Sequence, residues 1–193
     1  MNKPHAMART ELVSGSAVSA GIGVMFFILA TMLGAYVRIP VPGSPVPITL
    51  QTFFALLSGA VLGRKLGAAS QTGYILLGAL GLPVFQGYAF GIAHILGPTG
   101  GYLFGFIIAS FFTGKLLKKE GASHVRIVLS FIAGAIVIYA CGVSWLTVAY
   151  AMDLRCALLS GVIPFMPVEA VKVTLACAIY SRIGARSRQI FSV

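Results

Sequence analysis

The chain has 193 residues, 58% of them hydrophobic and only 9% charged, with a mean hydropathy of +0.96. Soluble domains carry about a quarter charged residues, so water is not its main solvent. A formal net charge of +10 would suit a phosphate binder, but the basic residues fall in short segments between apolar runs. That placement excludes a nucleic-acid partner and points to a membrane.

A hydrocarbon core of roughly 30 Å needs about 20 apolar residues per helical span. Residues 12–37, 39–63 and 127–152 contain no Asp, Glu, Lys or Arg and each suffice for one span, and 66–114 is long enough for two. A sixth stretch, 156–181, is interrupted by Glu169 and Lys172. In chain order the expected helices cover residues 18–37, 48–63, 66–82, 100–118, 127–150 and 165–183. The first follows basic residues as a signal peptide would, yet it is longer than an h-region and is read as a retained span. The expectation is an all-α integral membrane protein, a bundle of six transmembrane helices forming a single domain over residues 1–193.

Charge placement sets the orientation. Lys3, Arg9, Arg64, Lys65, Lys115, Lys118, Lys119, Arg126, Arg182, Arg186 and Arg188 fall on one side, against Arg38 and Arg155 on the other. The positive-inside rule then puts both termini in the cytoplasm.

The inner loops are short and basic, whereas the outer ones are unusual. Pro40, Pro42, Pro45 and Pro47 follow the first helix, and a segment so rich in proline is extended and stiff. The connection over residues 83–98 carries Gln86, Tyr88 and His94 but no formal charge, apolar enough to close over a cavity. Small residues recur at spacing four at Ala30 and Gly34, Gly59 and Gly63, Gly101, Gly105 and Ala109, and Ala170, Thr174 and Ala178. That spacing lets helices approach closely where lipid provides no hydrophobic drive. Most are read as internal packing, and the Ala30 and Gly34 face as a docking site for a partner membrane protein.

Glu169 and Lys172 are the most informative polar pair. Charges inside a span are costly and are tolerated when paired or when they face a cavity or ligand. At i and i+3 they share a face, and Pro164 and Pro167 start the helix, so the pair lies in the outer half of the bundle. One reading is a structural pair aided by the helix dipole. The other is recognition: a carboxylate accepts and an ammonium donates, which together match a urea or amide. The run Gly97-Pro98-Thr99-Gly100-Gly101-Tyr102 permits a tight turn whose first helical amides are free to donate, but it is no P-loop. Arg38 either snorkels to the interface or faces a substrate carboxylate.

Enzyme chemistry finds no support. His5, His94 and His124 form no HExxH, and no acid is spaced for a triad. Cys141, Cys156 and Cys177 form no CxxC pair or metal spacing. Asp153 and Arg155 read as an interfacial ion pair. No nucleotide site is present, so any use of ATP needs a partner.

These residues together resemble the BioY family, the biotin-specific substrate-binding component of energy-coupling factor transporters. The resemblance rests on Pro45-Val46-Pro47-Ile48-Thr49-Leu50-Gln51-Thr52, Gly81-Leu82-Pro83-Val84-Phe85, Gly97-Pro98-Thr99-Gly100-Gly101-Tyr102-Leu103, and the last helix with Pro164, Glu169 and Lys172. It implies a six-helix bundle in a bacterial or archaeal cell membrane, binding biotin from outside and associating with a transmembrane coupling protein and two ABC-type ATPases, with no cofactor of its own. The family carries proline, glycine and aspartate before the lysine, where this chain has Pro167-Val168-Glu169-Ala170-Val171-Lys172. Glutamate is one methylene longer at the same spacing. A loop amide also belongs to the family's site, and Gln86 is the candidate for it. The implied site has Glu169 on a ureido N–H, Lys172 on the ureido carbonyl, Gln86 with Gly97, Thr99, Gly100 and Tyr102 closing the pocket, and Arg38 toward the carboxylate. Rival readings are a secondary carrier using the acid and lysine for proton coupling, a component for another vitamin, and a membrane enzyme or structural subunit.

Overall fold

The structure, a computed structural model, describes residues 4–117 and 122–191, with side chains other than those of 4–16, 185, 188 and 189. Lys3, Lys118 and Lys119, assigned above to the inner side, lie outside the described residues, as do the side chains of Arg9 and Arg188. The chain runs α1 (Pro4–Tyr36), β1 (Arg38–Ile39), β2 (Ile48–Thr49), α2 (Gln51–Ala79), a 3-10 turn (Gln86–Tyr88), α3 (Ile92–Ile95), α4 (Gly100–Leu116), α5 (His124–Ala149), α6 (Leu154–Gly161), a second 3-10 turn (Ile163–Phe165) and α7 (Met166–Ile190).

α2 is two rods rather than one. Gly63, at φ 81° and ψ 175°, leaves the helical region, a conformation that L side chains rarely adopt. The chain doubles back there, so Gln51 reaches Tyr74 and Ser58 reaches Gln71 across the fold. The expected helices 48–63 and 66–82 are thus the two legs of a hairpin, joined by a one-residue turn. With α1, α4, α5 and α7 they make six long rods among the described residues. Residues 17–36 of α1, α5, and the stretch 154–184 are long and apolar enough to cross a membrane, and α4 is a shorter apolar helix.

Two devices hold the rods. The first is close backbone approach: a Cβ on Gly59 would strike the carbonyl of Ser110, one on Gly67 would meet the backbone of Gly59, and one on Gly101 would strike Trp145. These glycines seat the legs of α2 against each other and α4 against both α2 and α5, where dispersion contacts drive association. The second is a buried polar seam. Gln71 donates to Thr31 of α1 and to Ser58 at 3.2 Å each, while Ser58 pairs with Ser110 of α4 at 2.9 Å. Every member is fully buried, and in an apolar surround an unpaired amide or hydroxyl would cost several kcal/mol.

Three expectations are corrected. Ala30 and Gly34 do not form an outward docking face: both are buried, and a Cβ on Gly34 would crowd Phe54 and the backbone of Leu50, so the pair packs α1 onto α2. The small residues that do face outward are Ala170, Thr174 and Ala178 on α7. Asp153 and Arg155 are not joined as an ion pair through their side chains; Asp153 caps α6, an element not expected, by accepting the backbone N–H of Arg155 at 3.0 Å.

The proline-rich segment is extended as expected, closing an antiparallel β1–β2 ladder with Arg38 opposite Thr49 and Ile39 opposite Ile48. This hairpin sits at the same end as α6, since Ser44 donates to the carbonyl of Ser160 at 2.6 Å.

The packing predicts that Gly59→Ala lowers the thermal unfolding temperature in detergent, with an overpacking cost of about 1–3 kcal/mol. Gly21, with nothing within 4 Å of an added Cβ, should accept alanine without loss. Equal midpoints for the two variants would contradict the α2–α4 contact.

Candidate functional site

The site lies where the start of α7 meets the start of α2. Pro164 falls in the second 3-10 turn and Pro167 in the first turn of α7, so the helix begins abruptly and places Glu169 in its first turn. Glu169 is 3% exposed and Lys172 is 6% exposed. The Lys172 ammonium stands 2.5 Å from Glu169 Oε2.

Neither charge is left to the other alone. Lys172 Nζ donates to Thr52 Oγ1 and to the Thr49 carbonyl at 3.2 Å. Thr52 donates in turn to Glu169 Oε2 at 3.1 Å, and Tyr139 of α5 donates to the same oxygen at 3.0 Å. Oε2 therefore collects three donors. The other oxygen, Oε1, is buried and accepts none, which for a buried carboxylate oxygen is a cost of the order of 1–3 kcal/mol unless something else supplies a donor.

Against this cluster opens a partly enclosed cavity. Thr49, Thr52, Tyr139 and Lys172 line its floor. Tyr102, Phe106 and Phe165 give it aromatic walls, and Gln86, His94 and Thr99 belong to its outer rim. The rim is pinned from below: Thr49 donates to Gln51, Gln51 donates to Tyr74 at 2.7 Å, and Tyr74 donates to the Val84 carbonyl at 3.0 Å. Phe85, fully buried, fills the space that only a glycine at position 78 leaves open.

The structure gathers most of the expected site residues and separates others. Lys172, Gln86, Thr99 and Tyr102 line the cavity. Glu169 stands directly behind Thr52, Tyr139 and Lys172. Gly97 and Gly100 do not line it: the Gly97 carbonyl accepts from Trp145 Nε1 at 3.0 Å, and a Cβ on Gly100 would strike the Ile95 carbonyl, so both glycines seat the turn against its surroundings. Tyr102 uses its hydroxyl to hold the Gly161 carbonyl at 2.8 Å, leaving only its ring for the cavity. Arg38 is exposed, with its guanidinium against Gly87 beside Gln86, and is not among the lining residues. The sequence reading missed Thr49, Thr52 and Tyr139. The two threonines lie in the Pro45–Thr52 motif, which was noticed only as a whole; Tyr139 sits in an uninterrupted apolar run and carries no signal of its own.

A model of the BioY family matches residues 7–189. A BioY protein of Pyrococcus horikoshii is 44% identical over 160 residues, spanning 83% of this chain and 93% of its own. The biotin transporter BioY of Thermotoga maritima is 42% identical over 166 residues, with 86% and 94% covered. The crystal structure of the S-component for biotin from an ECF-type ABC transporter superposes with a TM-score of 0.77 at 27% identity, covering 95% of this chain and 94% of that one.

The ion pair itself makes a prediction that needs no ligand. Lys172→Met strands a buried carboxylate and should cost about 3–5 kcal/mol of stability, whereas Glu169→Gln combined with Lys172→Met should recover most of that loss. Unfolding in detergent measures both; a double variant as weak as the single one would show that the two charges do not compensate each other.

Proposed function

This chain belongs to the BioY family, and from that membership and the buried cluster at the cavity floor we propose that it captures biotin as the membrane-embedded substrate-binding component of an ECF-type importer. The observation that carries the reading is the Glu169–Lys172 pair, in which Lys172 lines the cavity and Glu169, directly behind it, keeps a buried Oε1 without a donor. Biotin's ureido ring presents two N–H donors on either side of a carbonyl acceptor. Lys172, whose three hydrogens go to Glu169, Thr49 and Thr52 in the free site, exchanges one of these partners for that carbonyl, and a turn of the Glu169 carboxyl brings Oε1 to an N–H, giving it the donor that the ligand-free carboxylate lacks. The thiophane ring, largely apolar, lies against Tyr102, Phe106 and Phe165, and Gln86 contributes an amide at the rim.

The family resemblance and the chain's shape support the remaining parts. Arg64 and Lys65 at the Gly63 turn adjoin Gly114, and Arg126 donates to the Leu116 carbonyl, so these basic residues share one end of the bundle. Arg38 and Arg155 stand near the hairpin and α6 at the other end. That distribution supports cytoplasmic termini, a cavity facing outward, and residence in a bacterial or archaeal cell membrane. The chain acts as a single domain over residues 1–193 without a cofactor, and draws its energy through a transmembrane coupling protein and two ABC-type ATPases.

Labelled biotin should bind the purified protein, and Glu169→Ala or Lys172→Ala should weaken it by about 30-fold or more, the scale for breaking a buried hydrogen-bonded charge pair. Unchanged affinity in both variants would reject the assignment. Biotin uptake by vesicles holding this chain alone, without ATP, would instead favour a secondary carrier.

A further inference from the structure

The cavity floor is electrically balanced, because Lys172 and Glu169 neutralise one another. Biotin also carries a carboxylate, and moving an uncompensated carboxylate into a partly enclosed pocket is costly. Among the described lining residues, His94 is the other side chain able to hold a positive charge. It is half-buried on α3, stacks on Phe85 with ring centroids 4.9 Å apart at 15°, and places Nε2 3.5 Å from Thr99 Oγ1. Phe85 and Thr99 are themselves buried, so the imidazole is held at the rim from two sides. Resting on the biotin reading, we propose that His94 receives the ligand's carboxylate at the cavity mouth and takes one proton from solvent as it does so.

The proton balance is simple. One carboxylate enters, one hydron passes from buffer to the imidazole, and an imidazolium–carboxylate pair results. In the free site burial lowers the His94 pKa below its usual 6.5, so the ring stands ready in its neutral form. A carboxylate alongside favours the charged ring and raises that value. Affinity therefore rises as pH falls from the liganded value toward the free one, and levels off below it. The titratable and charged groups around the ring are Tyr74 of α2 behind Phe85, Tyr102 of α4, Tyr139 of α5, Lys172 with Glu169 of α7, and Tyr88 and Arg38 beside the rim. Among these side-chain types, an imidazole is the one whose ordinary charge change falls between about pH 5 and 8.

Calorimetric titration of the purified full chain with biotin, in buffers of different ionisation enthalpy between about pH 5 and 8, tests this. The wild type should take up close to one proton, with affinity changing by up to about tenfold per pH unit. Biotin primary amide, in which the carboxylate is gone, should bind with a flat profile and no uptake. His94→Gln, which donates but does not titrate, should bind biotin more weakly and without pH dependence. A wild-type slope retained in His94→Gln, or an equal slope for the amide in the wild type, overturns the assignment; the amide comparison decides even where the variant fails to fold. A wild type that binds neither compound at any pH overturns the biotin reading itself.

Discussion

The cavity end of this bundle is arranged around the cost of holding a carboxylate and an ammonium out of water. The desolvation of each ion amounts to several kcal/mol even after relaxation, and Coulomb attraction recovers it only when the remaining donors and lone pairs are also satisfied. Here the satisfaction comes from separate elements. Thr49 contributes a carbonyl from β2, Thr52 a hydroxyl from the first turn of α2, and Tyr139 a hydroxyl from α5. The pair on α7 thus fixes where three other segments must stand. The position in the first turn of a helix helps, since the free amides there favour negative charge.

The opposite end is held by different physics. Glycine contacts at Gly59, Gly67 and Gly114 bring backbones together around the Gly63 turn, and the Thr31–Gln71–Ser58–Ser110 seam locks α1, both legs of α2 and α4 in register. The cavity forms at the other end, where the rods give way to the β1–β2 hairpin, the Gln86 turn and α6. These pieces are tied to the rods mostly by single side chains reaching backbone carbonyls: Tyr74 to Val84, Trp145 to Gly97, Tyr102 to Gly161 and Tyr36 to Pro83. A rim held by a few such bonds opens at lower cost than the glycine-packed end, because few buried contacts are lost when it moves.

The spans were legible because lipid imposes a length and forbids charge, and those rules act residue by residue. The acid and lysine stood out for the same reason. What sequence could not convey was direction. Spacing four places Ala30 with Gly34 and Ala170 with Thr174 on common faces, but which face turns inward depends on neighbours such as Phe54, and the two pairs turned out opposite to expectation. Arg38 likewise follows a helix near the right loop, and its guanidinium lies at Gly87, beside the rim rather than in the cavity lining. Gly63 marked a helix end but not a turn tight enough to make a hairpin, and α6 was hidden in an apolar run read as connector and span. Tyr139 was invisible because a lone tyrosine among Ile, Val and Ala looks like core until its hydroxyl meets Glu169.

Glu169 sets the character of the cavity floor. One of its oxygens meets Lys172, Thr52 and Tyr139 together, while the other is buried without a donor. The floor is then neutral as a whole but directional, with an ammonium that can exchange a protein acceptor for a ligand's and a carboxylate lone pair to receive. A group that is polar and uncharged, with donor and acceptor side by side, satisfies both; a free carboxylate placed there would meet Glu169 and be repelled. In the proposed complex this chemistry sets the orientation of a ligand that carries both groups: the uncharged ring goes down and the acid stays at the rim, among Gln86, His94 and Thr99.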